Sequence, residues 1–324
     1  MNNHLRTPFS LWNSPASILP IFVVLLPSIF SGQKLKAEPP YISAEPQKTG
    51  WPLTPEERAY VLQPEYERRP GREAKKHLPA LWPVVPQAGF WSGTTWLDTH
   101  AKLVEHVKKN KGQVDVLLVG DSITQQWGSP LDNKPLNDGW KKHLGSYSAV
   151  NIGIGGDKIQ NVLWRLDHGG VEGLEPKCIV LMIGNNNMFF TRETGIESAA
   201  RGLLACVENL RQKFTKTPVV VVKILPAHEP GNAFYEDIKK TNAAVDELKI
   251  GSLPGVTLMD LTPDFINKDG RLKKELFTPD NIHLSPSGYD QYAHRLKPVL
   301  DALIAGKPVP PDAIQSGPAS KTTP

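Results

Sequence analysis

The chain has 324 residues, 40% of them hydrophobic, with 37 basic against 33 acidic side chains and a net charge of +4. That is enough apolar matter for a sizeable core, and the two tails read as extra to one domain of about 200 residues. The charge excess is small and gathers into no long basic block. Lys108, Lys109 and Lys111 close a predicted helix, where cations suit the helix dipole, so no nucleic-acid partner is expected.

Residues 1–37 read as an export signal. His4 and Arg6 make a weakly basic start, Ile18 to Phe30 is mostly apolar, and Leu35-Lys36-Ala37 ends on a small residue. The apolar run is shorter than the ~20 residues of a spanning helix, so no stable membrane span is expected after signal removal. The expected location is therefore exported, periplasmic or secreted. Residues 38–93 are a Pro/Trp-rich extension of weak periodicity, in which Trp51, Trp82 and Trp91 suggest docking on a surface.

The main domain is expected over 94–304. Trp96 to Asn110 reads as a helix with Leu97, Ala101, Val104 and Val107 on one stripe. Strands and helices then alternate. Apolar runs predict strands at Val116–Val119 (with Val114 a candidate extension), Ser148–Ile152, Ile179–Ile183, Pro218–Ile224 and Val256–Met259. Helical patterns fall at Leu136–Leu144, Lys158–Leu166, Ile196–Phe214, Tyr235–Leu248 and Pro286–Ile304, the last with Pro298 expected to kink or shorten it. This alternation predicts an α/β fold with a parallel, doubly wound sheet. Residues 305–324 read as a disordered tail. Export would permit Cys178 and Cys206 to pair, but a core of this size needs no staple, and two buried thiols are the expected state.

Four segments carry chemistry. Ser122 lies just past the first strand, at the edge where open parallel sheets bind ligands. Taken alone it would be a helix N-cap. Gly156 and Asn186 follow the second and third strands and reach the same edge. Alone they would be a tight turn and a capping amide; together with the Ser122 N–H they supply three donors for an oxyanion. Asp280 and His283 stand three residues apart before the last helix, where the carboxylate can accept from Nδ1–H and leave Nε2 for Ser122. A His–Asp pair could begin a metal site, but no second His is near, and no metal is assigned. Asp121 is expected to bond the turn backbone and Asp157 to cap the helix from Lys158. His228 is expected to line the cleft rather than act as base. The run Gly153 to Lys158 lacks the third glycine of a dinucleotide fingerprint, which sets a nicotinamide enzyme aside.

On these residues the chain resembles the SGNH (GDSL-type) hydrolases over about Trp96 to Ile304. It looks closest to the catalytic subunits of the platelet-activating-factor acetylhydrolase Ib type. Val116-Leu117-Leu118-Val119-Gly120-Asp121-Ser122, Asn151-Ile152-Gly153-Ile154-Gly155-Gly156-Asp157 and Val162-Leu163-Trp164-Arg165-Leu166 carry that likeness. The resemblance implies a three-layer α/β/α, flavodoxin-like fold with a five-stranded parallel sheet of order 2-1-3-4-5. It implies Ser122 as nucleophile, Asp280 and His283 completing a triad, and Ser122, Gly156 and Asn186 as the oxyanion hole. It also implies no metal or organic cofactor, and it leaves a homodimer open. Asn185 departs from the small Thr the family often has there.

The expected function is an exported serine esterase of short acyl esters, acetyl above all. Ile123, Asn185 and Ile282, beside the catalytic residues, are expected to line the acyl side. Acetylated polysaccharide is a candidate natural substrate. Two alternatives stay open at this point: an acyltransferase using the same site, and a non-catalytic carbohydrate- or partner-binding protein whose ligands stack on the Trp-rich segment.

Overall fold

The computed structural model describes residues 80, 96–188 and 195–314. The segment 1–37 expected to be an export signal, Trp51, Trp82 and Trp91 lie outside the described residues. In chain order the elements are α1 (Trp96–Lys109), β1 (Gly112–Gly120), α2 (Ser122–Gln125), α3 (Asp138–Leu144), β2 (Ala149–Asn151), α4 (Ile159–Asp167), β3 (Leu174–Met182) and α5 (Asn185–Met188). There follow α6 (Ile196–Lys213), β4 (Val219–Val222), α7 (Ala233–Glu247), β5 (Val256–Met259), α8 (Thr262–Phe265), α9 (Pro286–Ile304) and α10 (Pro311–Ile314).

All strand pairings are parallel, and the order is β2-β1-β3-β4-β5. Alternate side chains of each strand feed opposite layers. Leu117 and Val119 of β1 join the core under α1, α4, α6 and α7, whereas Val116 and Leu118 join the core under α3 and α9. A strand buried on both faces has no polar side, which is why β1 and β4 read as unbroken apolar runs. The chain leaves β1 for β2 on one side and returns to β3 on the other. The carboxyl ends of these three strands therefore stand together at the switch in winding direction, where open sheets bind ligands.

Several expectations change. β3 begins at Leu174, not Ile179. Its first half pairs with β1 (Gly112↔Leu174), and β4 joins only at Ile179↔Val219. That stretch is an edge on the β4 side, where Pro176 is tolerated, and exposed Glu175 and Lys177 hide it from an apolar-run reading. Pro298 does not shorten α9, which runs to Ile304. The carbonyl it deprives of a helical partner belongs to exposed His294.

The tail expected from 305 is corrected as far as Ile314. Ala313 is buried, Arg295 donates to the Asp312 and Ala313 carbonyls (3.2–3.3 Å), and the Asp260 N–H reaches the Ile314 carbonyl (3.4 Å). Of the extension at 38–93 the structure describes Ala80, which is fully buried and donates its N–H to Ser198 Oγ on α6 (3.0 Å). Cys178 and Cys206 are buried free thiols, not a disulfide, and burial pushes Cys178 up to about 12.

Candidate active site

Three of the four site segments follow the end of a strand, and the fourth precedes α9. β1 ends at Gly120, which has no room for a side chain: an added Cβ would run into the Met182 carbonyl and Thr124. Asp121 then caps α2, its Oδ1 accepting from Ile123 N–H (3.1 Å), as expected of a turn-binding carboxylate. Ser122 is the first residue of that helix, so its own N–H has no intrahelical acceptor, and among the described residues it has no other.

The loop after β2 is tied to α2. Buried Asn151 donates to the Thr124 and Gly128 carbonyls (both 2.7 Å) and accepts from Gly153 N–H (2.9 Å). Gly155 N–H is held by Gln125 Oε1 (2.6 Å). Gly156 follows with φ +79°, a conformation suited to glycine, and its N–H has no acceptor among the described residues. After β3, Asn186 on α5 donates one Nδ2 hydrogen to the Asp157 carbonyl (2.9 Å) and keeps the second for a ligand. The Ser122 and Gly156 amides and the Asn186 amide thus stand at neighbouring strand ends with donors to spare.

Asp280 and His283 sit on a turn closed by its own bonds. The Thr278 N–H reaches the His283 carbonyl (2.8 Å), and Asn281, at φ +57°, donates back to the Thr278 carbonyl (2.9 Å). Asp280 Oδ1 accepts from Thr278 Oγ1 (2.7 Å), Ile282 N–H (2.9 Å) and His283 N–H (3.0 Å). Its Oδ2 lies 2.6 Å from His283 Nδ1, and His283 Nε2 lies 2.9 Å from Ser122 Oγ. A carboxylate only accepts, so the ring carries its proton on Nδ1 and offers Nε2 to the serine hydroxyl. Burial pushes Asp280 up, but His283, Thr278 and the two amides outweigh it and hold the carboxyl well below the ordinary range. This arrangement can take a proton from Ser122 and stabilise the imidazolium that results.

Other expectations are corrected. Asp157 does not cap α4; the cap residue is Lys158, whose N–H donates to Asn161 Oδ1 (2.8 Å). Asp157 is instead fully buried against Arg165 and Trp96. His228 has its N–H on the Asn281 carbonyl (2.9 Å), so its backbone braces the Asp280–His283 turn while its ring packs edge-on against Phe234.

The three residues expected to line the acyl side are not gathered into one lining. Ile123 is 1% exposed and packs into the layer of Trp127 and Tyr289, whereas half-buried Ile282 packs against the opposite layer. Ile123 therefore offers no surface to an acyl group. Asn185 is buried, with neither amide atom hydrogen-bonded among the described residues. Gln125, Asn151 and Arg165 are supporting residues that carried no assigned role; polar types inside an apolar helix pattern or at a strand end were the available signal. Trp96, expected to end the Trp-rich ligand surface, is instead buried, with its indole N–H on Asp157.

Asp121 has a thermodynamic consequence. It is fully buried with Oδ2 unpartnered; burial, aided by the nearby Asp157, raises its pKa to about 7 against the pull of the Ile123 N–H. The folded state then holds a proton that the unfolded state has released, so this residue makes stability fall as pH rises from its unfolded value near ~4 to about 7. Asp121→Asn keeps the cap oxygen and removes this slope, up to about 1.4 kcal/mol per pH unit. Unfolding midpoints of both proteins across that range should converge at low pH and separate at high pH, with the variant the more stable; parallel curves would refute it.

Residues 118–291 match the model of the GDSL-like lipase/acylhydrolase family. The chain is 31% identical over 217 residues to the platelet-activating factor acetylhydrolase IB subunit alpha2 of Rattus norvegicus, covering 66% of this chain and 86% of that one. It is 30% identical over 210 residues to the alpha1 subunit of Homo sapiens, covering 65% and 84%. A solved structure from Streptococcus pneumonia, named as a candidate platelet activating factor, aligns with a TM-score of 0.53 at 26% identity, over 63% of this chain and 92% of that one. The matched segment begins inside β1 and ends inside α9, and so spans Ser122, Gly156, Asn186, Asp280 and His283. The chain belongs to the GDSL-like lipase/acylhydrolase family and is a carboxylic ester hydrolase.

Proposed function

We propose that this protein is an exported serine esterase that cleaves short acyl esters, acetyl above all. The observation that carries this reading is the unbroken chain from Ser122 Oγ through His283 to Asp280, at 2.9 and 2.6 Å, beside amide donors that have no acceptor among the described residues. In this mechanism Ser122 attacks the ester carbonyl as His283 takes its proton. The tetrahedral oxyanion is received by the Ser122 and Gly156 N–H groups and Asn186 Nδ2. His283 then returns the proton to the leaving alcohol, and water, activated by the same imidazole, clears the acyl-enzyme.

The acyl preference is supported by the acetylhydrolase in the relatives' names. Export is supported by the signal-like sequence at 1–37, and acetylated carbohydrate is the natural ester proposed for an enzyme outside the cell. The test is turnover of p-nitrophenyl esters from acetyl to palmitoyl. The profile should peak between acetyl and butyryl; a maximum at long chains would overturn the short-acyl reading.

A further inference from the structure

The three proposed oxyanion donors come from three different strand ends, and one buried side chain bonds the segments that carry two of them and reaches the third through Asp157. Arg165, on α4, is 1% exposed. Its Nη2 donates to the carbonyl of Gly120, two residues before Ser122 (3.2 Å). Its Nη1 donates to the carbonyl of Ile152, where β2 has just ended (2.7 Å). Its Nε donates to Oδ2 of Asp157, the residue after Gly156 (2.7 Å). Asp157 is fully buried; its Oδ1 accepts Trp96 Nε1–H from α1 (2.7 Å), and its carbonyl accepts the Asn186 amide (2.9 Å).

A buried ion pair is a weak source of stability, since apolar residues of the same volume commonly do as well. What this one supplies is direction. The guanidinium is a rigid planar fork, and here it meets three acceptors on two segments, the end of β1 and the loop after β2, which a lysine's single ammonium does not reproduce. Asp157 passes the constraint on. Its side chain is fixed by Arg165 and Trp96, so its carbonyl is fixed, and that carbonyl takes one of two Asn186 hydrogens and thereby turns the other. Gly156, which precedes it, sits at φ +79° with open space where a side chain would stand, so no side chain of its own anchors it. The donor positions are set from behind.

We infer that Arg165, with Asp157 and Trp96, is the positioning unit of the oxyanion hole, acting on the reaction through Gly156 and Asn186 without touching substrate. This rests on the esterase reading above. It also gives α1, which lies ahead of the matched family segment, a part in the chemistry through Trp96.

The test is steady-state hydrolysis of p-nitrophenyl acetate by the full protein and by Arg165→Lys, Trp96→Phe, Asn186→Ala and the two doubles with Asn186→Ala, each with its unfolding midpoint. Displacing a donor by about 1 Å costs about a hundredfold in rate, so Arg165→Lys should lose about that in kcat with KM changed by less than about threefold. Trp96→Phe keeps an aromatic side chain but removes the indole N–H together with the second ring, and should lose about tenfold in kcat. Each double should fall little below its worse single variant, because both changes act on the same donors, whereas a purely structural role would make the losses multiply. Multiplying losses, or singles within about twofold of wild-type kcat, would overturn the inference. If Arg165→Lys does not fold, the Trp96→Phe cycle decides alone. Wild-type kcat in Asn186→Ala would instead overturn the oxyanion reading, so the two failures are distinct.

Discussion

Ser122→Ala is expected to lower kcat on p-nitrophenyl acetate by about a millionfold, to the residue of rate that binding and oxyanion donors sustain alone. A serine hydroxyl at neutral pH is a poor nucleophile, and its reactivity here would come from His283 Nε2, 2.9 Å away. The alanine removes one oxygen and leaves the rest standing. The Asp121 cap bonds Ile123 N–H rather than Ser122, the Gln125 tie to Gly155 is untouched, and the residue-122 N–H stays without an acceptor among the described residues. Loss of turnover with an unchanged unfolding midpoint would therefore report chemistry and not misfolding. Stopped-flow traces should also lose any initial burst of p-nitrophenol, since no acyl-enzyme can form. A variant retaining more than about a tenth of the wild-type rate would remove Ser122 from the mechanism.

The sheet was legible because its central strands are buried on both faces. Val116–Val119 and the valines of β4 leave no polar phase to confuse strand with helix, and β5 was predicted at its observed bounds, Val256–Met259. What was hidden shares one cause: local sequence does not report a neighbour. The first half of β3 carries Glu175, Pro176 and Lys177 and is a strand only because β1 pairs with it from Gly112. The helical turn at Pro311–Ile314 is ordered by Arg295 and Asp260, brought to it by the fold. The four-residue helices α2, α5, α8 and α10 are too short to show a period.

In the site, the residues with distinctive chemistry were legible and those that hold them were not. Ser122, His283 and Asp280 announce themselves by type and spacing. Asp157 also looked legible, as a cap before a helix, and that reading fails because a buried guanidinium and an indole N–H compete for its oxygens more strongly than a helix start does. Ile123 misled in another way. Its place beside Ser122 in the chain suggested the acyl side, but consecutive residues at a helix start point in different directions, and Ile123 points into the core.

Asp280→Asn should lower kcat on the same ester by about ten-thousandfold while KM changes little. The turn decides the outcome. Oδ1 receives three donors, from Thr278, Ile282 and His283, so an asparagine must place its carbonyl oxygen there; the reverse placement would aim NH2 hydrogens at two backbone N–H groups. The NH2 then faces His283 Nδ1 in place of the carboxylate oxygen at 2.6 Å. Two donors cannot share that contact, so the ring moves its proton to Nε2, and the atom that should accept from Ser122 becomes a donor. The imidazolium of the transition state would also lose its counter-charge. Because the native carboxyl is held well below its ordinary pKa, its contribution to stability is in place above the unfolded value near ~4 and is lost only as pH falls through that value towards the folded one, so at neutral pH the comparison isolates the missing acceptor. Turnover by the asparagine variant within about tenfold of wild type, with the serine still required, would show that another group orients His283 and would take Asp280 out of the triad.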